Sequence, residues 1–338
     1  MHAPLNTPSP RPTVVDWGKA GYRYFTYNLH LRSIFGQRVQ KVSIDAGFTC
    51  PNVDGTVAIG GCTFCDNRSF SPSRRIPRQD IHEQIDEGIR GLRRRYKCDQ
   101  FIAYFQPATN TYAAVELLEP LYRTALDHPD VVGLSIGTRP DCVEEDVLGL
   151  LEQLDTETYL SVEYGMQTMH DRSLDWMNRG HHHDVTRDAV SRSHKRGLSV
   201  CLHIILGLPG ETHEEMMETA REVADLGVDA VKIHNLYAVR NTPLAEQLQR
   251  GEVELMGLED YARTVVEFLE WLPPQMVVER ISGDAPPDFL VGPEWCRNKS
   301  AVLATIDAQF QQRESCQGKK YVAPADGELD NGPDKATE

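Results

Sequence analysis

The sequence predicts an α/β chain folded as a complete or partial (βα) barrel, and three observations carry that reading. Seven short apolar, β-branched runs recur at 39–44, 101–105, 131–136, 159–164, 199–206, 230–235 and 277–281. Amphipathic helical patterns lie between them, and strands alternating with helices imply a parallel sheet covered by helices. Neither a GxGxxG after the first strand nor a Walker phosphate loop is present, so six or seven units suit a barrel better than a dinucleotide fold.

The elements follow in chain order. Ile81, Ile85, Ile89, Leu92 and Tyr96 recur every three or four residues, as one face of a helix requires. Val147, Leu148, Leu151 and Leu154 repeat the pattern after the third strand. Thr212 and Glu215 make a capping box for a helix carrying Met216, Ala220, Val223 and Leu226, with Gly227 as its stop. Leu258, Tyr261, Val265, Phe268 and Leu269 trace a further stripe. Residues 1–20 are expected to be a disordered head, 21–285 the barrel and 286–315 a small extension around Trp295, Lys299 and a helix bearing Ile306. The polar stretch 316–338 is expected to be a disordered tail.

Composition narrows the function. A chain of 338 residues with 40% apolar and 25% charged residues is ordinary for a globular protein. It has no apolar run near the ~20 residues that span a bilayer, and its Pro- and Thr-rich start lacks a basic-then-apolar signal pattern; the expectation is a cytoplasmic protein with no membrane partner. A net charge of −15 argues against broad nucleic-acid binding through phosphate neutralisation. A local basic patch stays open at Arg68, Arg74, Arg75 and Arg78 and at Arg90, Arg93, Arg94, Arg95 and Lys97, against the alternative of solvated cations at a helix C-terminus.

The sharpest chemistry is Cys50, Cys62 and Cys65, three soft ligands in one Gly-rich loop directly after the first strand. Thiolates select zinc or iron–sulfur clusters. A structural zinc closes its shell with four protein donors, whereas three cysteines leave one iron of a cluster open. Cys98, Cys142, Cys201, Cys296 and Cys316 are scattered and read as packed thiols, with a role for Cys296 near the substrate as the alternative.

Barrel chemistry gathers at the C-terminal ends of strands, and polar residues recur there. They are Gln106, Thr109, Asn110 and Thr111 after the second strand, Thr138 to Asp141 after the third, and Glu163 and Gln167 on the fourth. Gly207 to Thr212 follow the fifth, His234 and Asn235 end the sixth, and Arg280 and Asp284 the seventh. Glu163 shares an inner face with Ser161, and a buried carboxylate is costly unless paired or solvated. It either pairs with Arg139 or Arg179 or contacts a cationic or hydroxyl-bearing cofactor.

These residues resemble the radical S-adenosylmethionine (SAM) superfamily. Cys50-x11-Cys62-x2-Cys65, with Phe64 before the last cysteine, resembles its cluster loop. Thr138-Arg139-Pro140-Asp141, Glu163…Gly165-Met166-Gln167, Asn178-Arg179-Gly180-His181, Gly207-Leu208-Pro209-Gly210, residues 229–233 and Arg280…Asp284 resemble successive motifs of the elongator catalytic subunit. Closer still is a bacterial elongator-like family bearing the patterns at 50–56 and 60–65, and the resemblance covers roughly 20–315. It implies a partial TIM-like (βα)6 barrel with a short N-terminal segment and a small C-terminal extension. It further implies a 4Fe–4S cluster on Cys50, Cys62 and Cys65, with SAM on the open iron and a 5′-deoxyadenosyl radical abstracting hydrogen from the substrate. Phe64, Gln106, Asn110, Arg139, Glu163 and Gln167 would surround SAM, with Gly207 and Gly210 letting backbone approach the adenosyl group. The implied partners are tRNA, modified at a wobble uridine such as one bearing a carboxymethylaminomethyl group, and an electron donor of the flavodoxin or ferredoxin type. Residues 106–110 depart from the glycine-rich acidic motif usual after the second strand, and an acetyltransferase domain has no room. A small-molecule substrate, as in porphyrinogen oxidases, is the second reading. A non-enzymatic zinc or iron–sulfur module, with a fourth ligand from His181, His182 or His183, is the third.

Overall fold

The computed structural model describes residues 15–323. Among the described residues nine strands form: β1 (Val39–Ile44), β2 (Gln100–Phe105), β3 (Val131–Thr138), β4 (Tyr159–Gln167), β5 (Val200–Leu206), β6 (Ala230–Asn235), β7 (Ala238–Val239), β8 (Val277–Arg280) and β9 (Leu290–Gly292). Seven of them pair in parallel in the order β1-β2-β3-β4-β5-β6-β8. The sheet is a curled partial barrel of the TIM-like kind, with one strand more than six units supply. All seven expected runs are strands. β7 and β9 form a separate antiparallel pair, too short for an apolar pattern to announce.

Helices follow the strands because their apolar stripes need a surface to cover. Ile81–Tyr96 is capped by Asp80, whose side chain accepts from Glu83 N, and buries Ile81, Ile85 and Ile89. His213–Asp225 carries the expected capping box, with Thr212 and Glu215 satisfying each other's backbone amides. Leu258–Trp271 buries Tyr261, Val265, Phe268 and Leu269. One continuous core joins these stripes to Val42, Ile44, Leu134, Ile136, Val162, Leu202 and Val231 of the strands. Among the described residues no helix is long and apolar enough to cross a membrane.

The two outer strands, β1 and β8, are not paired with each other among the described residues. Helix Tyr27–Phe35 packs against both, Thr26 bridges to Val278, and Lys41 of β1 reaches Glu279 of β8 at 2.6 Å. The start of the expected tail is instead anchored. Gln317 is buried, donating to Pro273 O at 2.6 Å and Met276 O at 2.8 Å and accepting from Phe25 N at 2.8 Å. One amide side chain thus satisfies three backbone groups and ties the C-terminal segment to the N-terminal one. Residues 17–20 of the expected head form a turn, with Trp17 Nε1 donating to Pro274 O. Residues 1–14 and 324–338 lie outside the described residues.

Candidate active site

The β1-to-helix loop delivers the three cysteines to the C-terminal mouth of the sheet. Its turns close on themselves, with Cys50 O accepting from Val53 N at 2.8 Å and Cys62 O from Cys65 N at 3.0 Å. Asn52 then ties the loop to the segment after β4. Buried Asn52 Nδ2 donates to Asn178 O at 2.5 Å and Arg179 O at 2.9 Å, and lies 3.5 Å from Cys62 Sγ. Arg179 Nη1 lies 3.6 Å from the same sulfur while its Nη2 donates to Gly165 O at 2.8 Å.

Arginines downstream brace this loop from outside. Arg74 donates to Phe48 O at 2.7 Å and pairs with Asp45 at 2.8 Å, and Arg78 reaches Ala46 O at 2.5 Å. Gly47 (φ +82°) leaves room for Arg78, since a Cβ there would stand 2.2 Å from Nη1. Arg75 bonds the carbonyls of Arg68 and Ser69 and stacks over Phe289, and Arg68 pairs with Asp66. Of the candidate basic patch, these four guanidinium groups are spent on holding the loop.

A cavity of about 270 Å³ lies at the strand ends, and all three cysteines line it. Of the expected cofactor contacts, Phe64, Gln106, Arg139, Glu163 and Gln167 line it too. Three others do not. Asn110 is fully buried, and its Nδ2 donates to Phe105 O at 3.1 Å and Gly137 O at 2.7 Å, so it pins the ends of β2 and β3. Gly207 (φ +84°) faces Met256, and Gly210 (φ +82°) sits in an exposed turn whose carbonyl accepts from Arg172. Those glycines answer a backbone requirement.

Glu163 is the largest departure from expectation. Neither Arg139 nor Arg179 is its partner: Arg139 forms a two-pronged pair with Asp141 at 2.8 and 2.7 Å. Fully buried Glu163 instead meets Lys41 at 2.5 Å, Tyr104 Oη at 2.8 Å and His203 Nε2 at 2.7 Å, together with Lys232 and Ser135. Glu279 completes the network, 3.2 Å from Lys232. Burial opposes the charge on Glu163, but Lys232, Lys41 and His203 outweigh it and hold the carboxyl well below its usual range. Burial likewise opposes the Lys41 ammonium, and Glu163 and Glu279 hold its pKa well above the lysine range. His203 and His234 are lowered, first by burial and then by neighbouring cations, so both are neutral at pH 7. Most (βα) barrels fill their interior with branched apolar residues; this one crosses it with an ionic network.

Lys41 and Lys232 were not among the sequence candidates. The only signal was a lysine inside an apolar run, at the inward-facing alternate of Ser43 in β1 and of His234 in β6. The histidine triplet turns elsewhere. His182 bonds Asp175 at 2.9 Å, His183 bonds Glu222 at 2.8 Å, and His181 is not part of the cavity wall. Cys296 is buried and accepts from Asn235 Nδ2 at 3.0 Å, outside the cavity wall, as a packed thiol.

The family model described as the Radical SAM superfamily matches residues 59–223, and the Radical_SAM C-terminal domain matches 228–312. The uncharacterized protein YtqA of Bacillus subtilis is 44% identical over 299 residues, spanning 88% of this chain and 93% of that protein. Protein YhcC of Escherichia coli K12 is 36% identical over 296 residues, spanning 86% and 94%. A tRNA uridine(34) acetyltransferase of Methanocaldococcus jannaschii is 30% identical over 57% of this chain and 36% of its own length. Among solved structures, the archaeal Methanocaldococcus infernus Elp3 shares the fold at TM-score 0.64 and 20% identity, covering 82% of this chain and 64% of that one.

Proposed function

The chain belongs to the radical SAM superfamily, whose enzymes use a 4Fe–4S cluster and S-adenosylmethionine, and from that premise we propose that Cys50, Cys62 and Cys65 hold the cluster and that the cavity they line receives SAM. One observation carries this reading: three thiols from a single braced loop share one cavity wall with polar groups from the ends of β2, β3 and β4.

The residues present fit such a group. Ionisation of the Cys65 thiol is opposed by desolvation and then by Cys62 and Cys50, a setting in which bound positive charge favours the thiolate. Buried atoms without partners also surround the loop: Arg139 Nη1, Arg179 Nε and Asn52 Oδ1.

When bound, cluster and SAM supply one-electron chemistry that removes a hydrogen atom from an otherwise inert position, drawing its electron from a reductant such as a flavodoxin or ferredoxin. The chain's own residues bind and orient. Arg179 and Asn52 hold Cys62 in place, Phe64 offers an aromatic wall, and Gln106, Arg139 and Gln167 offer polar contacts to SAM. Glu163, saturated by two lysines, fixes the cavity floor instead of serving as a free base.

For the substrate we propose tRNA at the wobble uridine. The similarity to a tRNA uridine(34) acetyltransferase supports it. Nucleoside profiling of tRNA from a deletion strain tests this. A changed modification at uridine 34, restored by the wild-type gene and not by a Cys62→Ala copy, is expected; an unchanged uridine profile removes tRNA as the substrate.

A further inference from the structure

Charge on the inner wall is unbalanced. Lys41 and Lys232 face Glu163 and Glu279 in closed pairs. Arg280 also lines the cavity, but among the described residues it has neither a hydrogen bond nor an ion pair. Its register partner on β6 is Lys232, and it acts electrostatically on His234, Tyr104 and Tyr237. Asp284, on the same wall, lies 3.9 Å from Lys299. No carboxylate stands within 4.0 Å of Arg280 among the described residues, so its charge is not offset by a direct ion pair on this wall.

Beside Arg280, His234 Nε2 is buried without a partner. The ring is held from behind at Gly283, where a Cβ would stand 3.1 Å from His234 Nδ1 and 2.9 Å from Tyr237 Cε1. Gly283 is itself fixed by its N–H donating to Asn235 Oδ1 at 2.9 Å. An unpaired guanidinium and an unpaired ring nitrogen, on a backbone locked by Asn235, thus face one cavity. Arg280 is exposed at the cavity mouth, whereas a buried ring nitrogen without a partner costs about 1–3 kcal/mol, and a guanidinium fork suits a carboxylate in two-pronged fashion.

We infer that the β6–β8 side of the cavity is a substrate subsite for one carboxylate group, received by Arg280 and His234. It rests on the reading of this cavity as the SAM site, and assigns to the substrate an anion distinct from SAM's own. SAM is given Gln106, Arg139 and Gln167 of β2 to β4; the carboxylate subsite belongs to β6 and β8. One guanidinium fork with one ring nitrogen matches the two oxygens of a carboxylate more closely than the larger oxygen set of a phosphate.

The probe is ¹³C-carboxyl acetate, followed by NMR line width on anaerobically reconstituted protein saturated with SAM. Wild type broadens the acetate signal saturably. Arg280→Gln weakens binding at least tenfold, Arg280→Lys less than threefold, and His234→Phe at least threefold, while inorganic phosphate binds more weakly than acetate. SAM affinity, measured separately by equilibrium dialysis, is unchanged in Arg280→Gln, and circular dichroism reports folding. The inference is overturned if Arg280→Gln binds acetate as wild type does, if SAM displaces acetate, if Arg280→Gln loses SAM, or if phosphate is preferred. Failure of wild type to bind SAM at all would instead strike the underlying reading.

Discussion

Replacing Glu163 by glutamine tests the ionic network most sharply. The wild-type interior sets Lys41 and Lys232 against Glu163 and Glu279, with Glu163 fully buried and hydrogen-bonded to five side chains. Glu163→Gln keeps the shape but leaves two buried lysines facing one carboxylate. Breaking a buried pair from one side costs about 3–5 kcal/mol, because the remaining charge stays desolvated. At roughly 2 °C per kcal/mol for a chain of this size, Tm falls by roughly 6–10 °C. The double variant Glu163→Gln/Lys232→Met removes the stranded cation and leaves Lys41 with Glu279. It should therefore be more stable than the single variant by at least about 2 kcal/mol. The pH dependence has a definite sign. The folded pKa of Glu163 is depressed, so its contribution is present above the ordinary carboxyl value and lost as pH falls through the lower folded value. The deficit of Glu163→Gln is thus full at neutral pH and shrinks only in acid. Guanidinium unfolding followed by circular dichroism from pH 7 to pH 3 measures it. A single variant within 1 kcal/mol of wild type, or a double variant less stable than the single, refutes the reasoning.

Other residues give narrower tests. His30 is buried among the rings of Phe25, Tyr27 and Tyr159, and burial lowers its pKa to about 4; as the unfolded chain takes up this proton first, stability is lost as pH falls from about 6.5 to 4, by roughly 3 kcal/mol. His30→Phe should flatten that part of a stability–pH curve, and an unchanged slope would show that other groups carry it. Gln317→Ala leaves three backbone groups without partners and should cost about 2–3 kcal/mol, with faster hydrogen exchange at the Phe25 amide; protection equal to wild type would mean that the C-terminal segment is no latch. Asn52→Ala removes two of the hydrogen bonds tying the loop to Asn178 and Arg179 and should lower iron retention severalfold after desalting while leaving far-UV circular dichroism unchanged; full retention would remove Asn52 from the account.

The parallel sheet was legible because its strands are fully buried runs, such as Tyr159–Gln167, bounded by turn residues. Helix Tyr27–Phe35 was not, since only His30 and Leu31 are fully buried in it and its role is to fill the gap between β1 and β8. The cysteine loop was legible from spacing. Glu163 stood out as a carboxylate in an apolar run, but its partners did not, because Lys41 and Lys232 lie 122 and 69 residues away and meet it only when the sheet curls. Asn110, Gly207 and Gly210 lie off the cavity wall for a shared reason: a polar amide at a strand end and a glycine in a turn serve the backbone as readily as a ligand.

The most direct measurement is anaerobic reconstitution with iron and sulfide, followed by iron and labile-sulfide counts and assay for 5′-deoxyadenosine with SAM and a strong reductant. The account predicts about four irons and four sulfides per chain with release of 5′-deoxyadenosine, and loss of both on changing Cys50, Cys62 or Cys65 to alanine but not Cys98. One tightly held zinc without sulfide, or a full cluster surviving the removal of any of the three cysteines, would contradict it.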